Sequence, residues 1–200
     1  MLRIYHVPGA RSVRPIWLCH ELGLPVEVVT VDFSPAYRNS AEWRAMSPAG
    51  KVPVMTDGDL TMFESGAMVD YILERYGEGR LRPAPGTPES ALHHQWCWFS
   101  EATLIRPLGV NRLLTHGYAG EDTPMADGKQ KVLDCLGVVD QALADRPYLM
   151  GSDFAAADIM MGYALGLLAG LKLLDARHPR ALAYFEKLRT RAALVRAMAA

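Results

Sequence analysis

Ser47-Pro48-Ala49-Gly50-Lys51-Val52-Pro53-Val54-Met55-Thr56-Asp57-Gly58-Asp59-Leu60-Thr61-Met62-Phe63-Glu64-Ser65 is the stretch on which the reading of this chain turns. Residues 51–56 and 60–63 are apolar-rich runs, and the Asp57-Gly58-Asp59 between them is a strong hairpin signal. Helical spacing takes over at about Glu64 and runs to Tyr76, where Gly77 stops it. The stretch therefore predicts strand, turn, strand, helix. The polar segment before it holds a short predicted helix at 40–46.

Upstream, residues 2–7 form a β-like run that ends at Pro8-Gly9. From about Ser12 to Leu22, Ile16, Leu18, Cys19 and Leu22 recur at helical spacing; Gly23 and Pro25 then stop the helix, and Val26, Val28, Val29 and Val31 predict a second strand. A β-α-β opening usually lays its two strands parallel in one sheet. Downstream, residues 78–88 hold three prolines and two glycines and read as a linker. Beyond it the pattern is helical only, at roughly 89–115, 124–144, 156–169 and 180 to the end. Composition does not choose between one large domain and two small ones at 200 residues. The order of elements does, and it predicts a domain at 1–77, the linker 78–88, and an all-α domain at 89–200.

Half of the residues are hydrophobic and 22% are charged, which supports a buried core and argues against disorder. The net charge is -1, and Lys and Arg are scattered among acids, so no basic stripe points to nucleic acid. The three cysteines, Cys19, Cys97 and Cys135, have neither paired nor metal-like spacing and read as reduced thiols of a cytoplasmic protein. The opening residues lack the apolar core of a signal peptide, and the apolar run 165–174 is too short for a bilayer, so no membrane anchor is expected.

Five stretches, in order, resemble the soluble glutathione S-transferase superfamily, as a bacterial-type member whose class stays open. They are Val7-Pro8-Gly9-Ala10-Arg11-Ser12-Val13-Arg14, Trp17-Leu18-Cys19-His20-Glu21-Leu22-Gly23-Leu24-Pro25, the Ser47-to-Val54 run quoted above, Phe63-Glu64-Ser65-Gly66-Ala67, and Phe154-Ala155-Ala156-Ala157-Asp158-Ile159. The resemblance implies an α/β thioredoxin-like N-terminal domain that holds glutathione as co-substrate, with no metal, beside an all-α C-terminal domain. It implies a homodimer acting in detoxification, and a glutathione transferase whose thiolate attacks a small hydrophobic electrophile. A non-catalytic glutathione- or ligand-binding protein, or a glutathione-dependent peroxidase or isomerase, remains the alternative on the same fold.

The resemblance also assigns residues. Pro53 corresponds to a cis proline that turns the backbone of Val52 outward, to pair with the ligand like an added strand. Glu64 and Ser65 stand where a strand becomes a helix, so the unpaired N–H groups and the helix dipole favour a carboxylate there. Either residue could equally be a plain cap. Lys51 could meet the glycine carboxylate or simply face water, and Arg38 and Arg44 are looser candidates. A thiol with a pKa of about 8.5 is only a few per cent ionised at pH 7, so the turn at 9–13 has to stabilise the thiolate. If Arg14 aligns with the arginine many members carry in the first helix, the usual serine falls on Ala10 and the cysteine of some bacterial members falls on Arg11. Ser12 is then the only hydroxyl left in the turn, either a helix cap or a thiolate donor, and Arg11 is the nearest cation. In the helix after the linker, Trp96, Phe99, Thr103 and Arg106 share one face by their spacing. They are either the lining for the second substrate or core residues with an interfacial ion pair.

Overall fold

A computed structural model of the chain describes residues 1–107 and 124–200. It divides into two compact units, Met1–Leu81 joined by Arg189–Ala200, and Arg82–Leu188.

The first unit is built on a four-stranded sheet in the order β2-β1-β3-β4. Strand β1 (Leu2–His6) pairs in parallel with β2 (Val26–Thr30) and antiparallel with β3 (Val54–Asp57), which pairs antiparallel with β4 (Leu60–Phe63). Alternation along β1 buries Leu2, Ile4 and His6 on one face. Helix α1 (Val13–Leu22) packs beside β1 and buries Ile16, Trp17, Leu18 and Cys19, each without exposed surface. It ends at Gly23, whose φ of 70° is a left-handed cap that a Cβ would oppose. Two short helices follow, α2 (Pro35–Arg38) and α3 (Ala41–Met46), capped by Ser34 and Ser40. Only the second of these was expected from the sequence. Strand β3 begins at Val54 and not at Lys51, because Pro53 brings no N–H to the ladder. Asp57 pairs with Leu60, so the hairpin loop is Gly58-Asp59 alone. Helix α4 (Ser65–Tyr76) buries Met68, Val69, Ile72 and Leu73 and packs on α1.

In the second unit, α5 (Pro88–Trp98) opens with Thr87 accepting from the Ser90 N–H at 3.2 Å. Its continuation is a π-helical segment, Phe99–Leu104, where a single long α-helix to about 115 was expected. The end of that expected helix, from 108, lies outside the described residues. Helices α6 (Pro124–Ala142), α7 (Ala156–Gly170) and α8 (Pro179–Arg189) complete the unit. The first turns of α7 are buried on every side, from Ala156 through Met161, and it packs against α5. The helix expected from 180 to the end is broken before Ala192, and α9 (Ala192–Met198) folds against α1 in the first unit. This departs from the expected assignment of 89–200 to one helical domain: Ala193, Leu194 and Ala197 complete the periodicity of a helix but bury it elsewhere. The linker is likewise divided, since Arg80 donates to the carbonyls of Gly77 and Leu22 and belongs to the first unit. No helix of the described residues is long and apolar enough to cross a membrane.

Candidate functional site

The Val52–Pro53 bond is cis, at the entrance to β3. The turn before it is held from within and from beside. Ser47 Oγ donates to the Lys51 carbonyl at 2.8 Å and accepts from the Lys51 N–H at 3.0 Å. Arg44 donates to the Pro48 carbonyl and to Asn39 Oδ1, both at 2.7 Å, and Arg38 donates to the Gly50 carbonyl at 3.2 Å while stacking over Phe33. Each of the two arginines named as looser ligand candidates thus gives one donor to a carbonyl of this turn. Lys51 differs: its backbone is held and its side chain is exposed. Gly50, at φ 62°, is packed so closely that an added Cβ would lie 2.8 Å from Arg44 Cζ and 2.9 Å from the Arg38 carbonyl oxygen.

At the mouth of α4, Glu64 sits at φ 74°, ψ 105°, in the region that L side chains rarely adopt. Its exposed side chain leads into Ser65, which is 4% exposed. Ser65 Oγ accepts from Arg14 Nη1 at 3.2 Å, and Arg14 itself is 1% exposed. A guanidinium has donors only, so the serine oxygen is the acceptor in this bond and its O–H proton is left for another acceptor. The two residues are 51 positions apart, so the contact left no local signal in the sequence.

The turn at 9–13 overturns the expected capping role of Ser12. Its φ of -58° and ψ of -24° are already helical, it makes no side-chain cap bond, and it has no exposed surface. Its Oγ lies 2.8 Å from His6 Nδ1. Burial holds the His6 pKa below the ordinary histidine value, so a neutral imidazole faces the hydroxyl. The hydroxyl read as either a helix cap or a thiolate donor thus lies against His6, inside the unit. Arg11 is exposed beside it.

In the second unit, Trp96 and Phe99 meet edge to face with ring centroids 5.5 Å apart. Thr103 and Arg106 are exposed. The common face expected for the four residues assumed α-helical spacing throughout, whereas the backbone from Phe99 to Leu104 is π-helical.

The glutathione S-transferase N-terminal domain family matches residues 1–74, and the glutathione S-transferase C-terminal domain family matches residues 116–187. A glutathione S-transferase-like protein of Aspergillus terreus, gedE, is 30% identical over 171 residues, covering 79% of this chain and 74% of its own length. Glutathione S-transferase F10 of Arabidopsis thaliana is 28% identical over 204 residues, covering 96% of this chain and 94% of its own length. Among solved structures, a glutathione transferase family member from Pseudomonas fluorescens Pf-5 with two glutathione bound is 26% identical at a TM-score of 0.85, over 98% of this chain and 92% of that one. With both family domains matched in order around a thioredoxin-like sheet and a helical unit, this chain belongs to the glutathione S-transferase family.

Proposed function

We propose that the chain is a glutathione transferase, and the observation that carries the reading is the Arg14–Ser65 contact at the mouth of α4. A buried cation directly behind a serine whose proton is unspent, at the start of a helix, suits a carboxylate. The γ-glutamyl carboxylate of glutathione takes that place, with its ammonium at Glu64. The cysteinyl backbone pairs with Val52 ahead of Pro53, and the glycine carboxylate reaches Lys51. The sulfur then lies at the turn 9–13, where Arg11 and the N-terminus of α1 favour the thiolate and Ser12 shapes the turn through His6. The acceptor is a small hydrophobic electrophile received by Trp96, Phe99, Thr103 and Arg106. The working form is a cytoplasmic homodimer. Relatives named as glutathione transferases, one with glutathione bound, support this reading.

Calorimetry with glutathione, followed by conjugation to an aryl halide, tests it. Ser65→Ala is expected to weaken glutathione binding about tenfold, the worth of one charge-assisted hydrogen bond. Absence of glutathione binding in the unaltered protein would overturn the proposal. One observation favours a second reading: Ala10 and the inward Ser12 leave the turn without an outward hydroxyl. Tight binding with no lowering of the thiol pKa would assign the chain to non-catalytic glutathione binding.

A further inference from the structure

His93 and Cys97 lie one turn apart on α5, in the second unit, with His93 Nδ1 3.9 Å from Cys97 Sγ. His93 is 2% exposed, and its Nε2 meets the backbone N–H of Ala157, in the first turn of α7, at 3.2 Å. An amide N–H can only donate, so Nε2 is the acceptor and carries no proton. Burial first, then the charges of His94 and Arg82, hold the imidazole pKa down at about 4, and the ring is neutral near pH 7. The hydrogen-bond network therefore assigns the single ring proton to Nδ1, directed at the sulfur. His93 in this state does not take a proton from Cys97. It donates to the thiolate, and a donor aimed at the charged form favours it.

Asp158, in the first turn of α7, is turned to the amides of Leu149 and Ala155. The other two thiols provide the contrast. Cys19 has no exposed surface, and burial pushes its thiol up to about 12. Burial, with the neighbouring Asp134, also raises Cys135. Cys97 is half-buried and retains some access to solvent.

From this geometry we propose that Cys97 is a site of reversible S-thiolation by small-molecule disulfides, of which glutathione disulfide is one. The Cys97 thiolate attacks one sulfur of R–S–S–R; the Cys97–S–S–R bond forms, the old S–S bond breaks, and R–S⁻ leaves with the electron pair. Cys97 is oxidised, the departing half is reduced, and the proton lost from Cys97 passes to solvent. Excess thiol reverses the step. The inference does not rest on the glutathione site of the first unit, since any accessible small disulfide serves as reagent.

The test uses the full, reduced protein near pH 7, treated in parallel with glutathione disulfide and with uncharged hydroxyethyl disulfide, and read by intact mass and peptide mapping. Cys97 is expected to react at least about tenfold faster than Cys135 with both reagents. Equal rates at the two thiols would overturn the proposal, and so would labelling by glutathione disulfide alone, which would reflect a bound ligand. His93→Gln keeps a side-chain oxygen for the Ala157 amide and removes the Nδ1 donor. It is expected to slow Cys97 about tenfold and leave Cys135 unchanged; an unchanged Cys97 rate overturns the proposal. Should that variant fail to fold, the Cys97-to-Cys135 rate ratio of the unaltered protein decides.

Discussion

Glu21 grips Arg191 in a two-pronged ion pair across 170 residues of chain, Nε to Oε1 at 2.6 Å and Nη2 to Oε2 at 2.8 Å. Trp17 Nε1 donates to the same carboxylate at 2.7 Å. Burial alone would raise the Glu21 pKa, but these donors outweigh it and hold the carboxyl below its ordinary value. Arg191→Ala leaves a mostly buried carboxylate with one donor fewer on each oxygen and is expected to cost about 2 kcal/mol near pH 7. A folded-state pKa below the unfolded one contributes stability that is present above the usual carboxylate range and lost as pH falls through the folded value. The difference between the two proteins in urea unfolding should accordingly shrink in acid; a difference that grows there would contradict the pairing.

Gly50→Ala forces a Cβ onto a left-handed residue and against the Arg38 carbonyl oxygen at 2.9 Å. Arg44 can swing aside, but backbone does not yield so easily. The expected result is a loss of about 1–3 kcal/mol in thermal or urea unfolding. Because this turn leads into Val52, glutathione affinity measured by calorimetry should fall in the folded variant as well. A variant as stable as the parent would show that the 47–51 turn has slack.

His93 makes a prediction about acid. Its pKa of about 4, against about 6.5 in an unfolded chain, means that the unfolded state binds the extra proton first. The contribution is complete above the unfolded pKa and is lost as pH falls toward the folded value, an effect on the order of 3 kcal/mol. His93→Gln should flatten the stability profile between about pH 6.5 and pH 4. Melting temperatures across that window check it, and a slope unaltered by the substitution would remove His93 as its source.

Ala155 occupies the N-cap of α7 in extended backbone, φ -133° and ψ 170°, without a side-chain acceptor. Asp158 supplies the other half of a capping arrangement: Oδ2 accepts from the Ala155 N–H at 2.8 Å, and Oδ1 accepts from the Leu149 N–H at 3.0 Å and from the Tyr184 hydroxyl at 2.5 Å. Ala155→Ser restores the missing acceptor and should stabilise the chain by about 0.5–1 kcal/mol in urea unfolding. A destabilised variant would mean that the 6% exposed site has no room for the hydroxyl.

The legible parts of this fold are those specified by neighbours in sequence. Asp57-Gly58 announced the hairpin, the 16, 18, 19 and 22 spacing announced α1, and Gly23 announced its end, because turn chemistry and periodicity act over a few residues. The return of α9 to the first unit was not legible: Ala193, Leu194 and Ala197 specify a buried face but not the surface that buries it. The π segment was hidden for another reason, since shifting the hydrogen-bond ladder by one residue changes no side chain. For the candidate site, resemblance singled out Val52, Pro53, Glu64 and Ser65, while the Arg14–Ser65 and His6–Ser12 contacts depend on packing. One signal for the second was present. His6 follows Leu2 and Ile4 at period two, which places an imidazole on the buried face of β1 in need of a partner.

The first unit is discontinuous along the chain, and that has a consequence for its biogenesis. A ribosome delivers the whole sheet, α1 and α4 early, yet the segment 189–200 that lies against α1 is translated only after the helical unit. The nascent sheet domain therefore waits, with part of its apolar surface uncovered, through the synthesis of more than half of the polypeptide. Folding from the N-terminus onward, the usual order for two-domain chains, cannot finish here until the last helix leaves the exit tunnel.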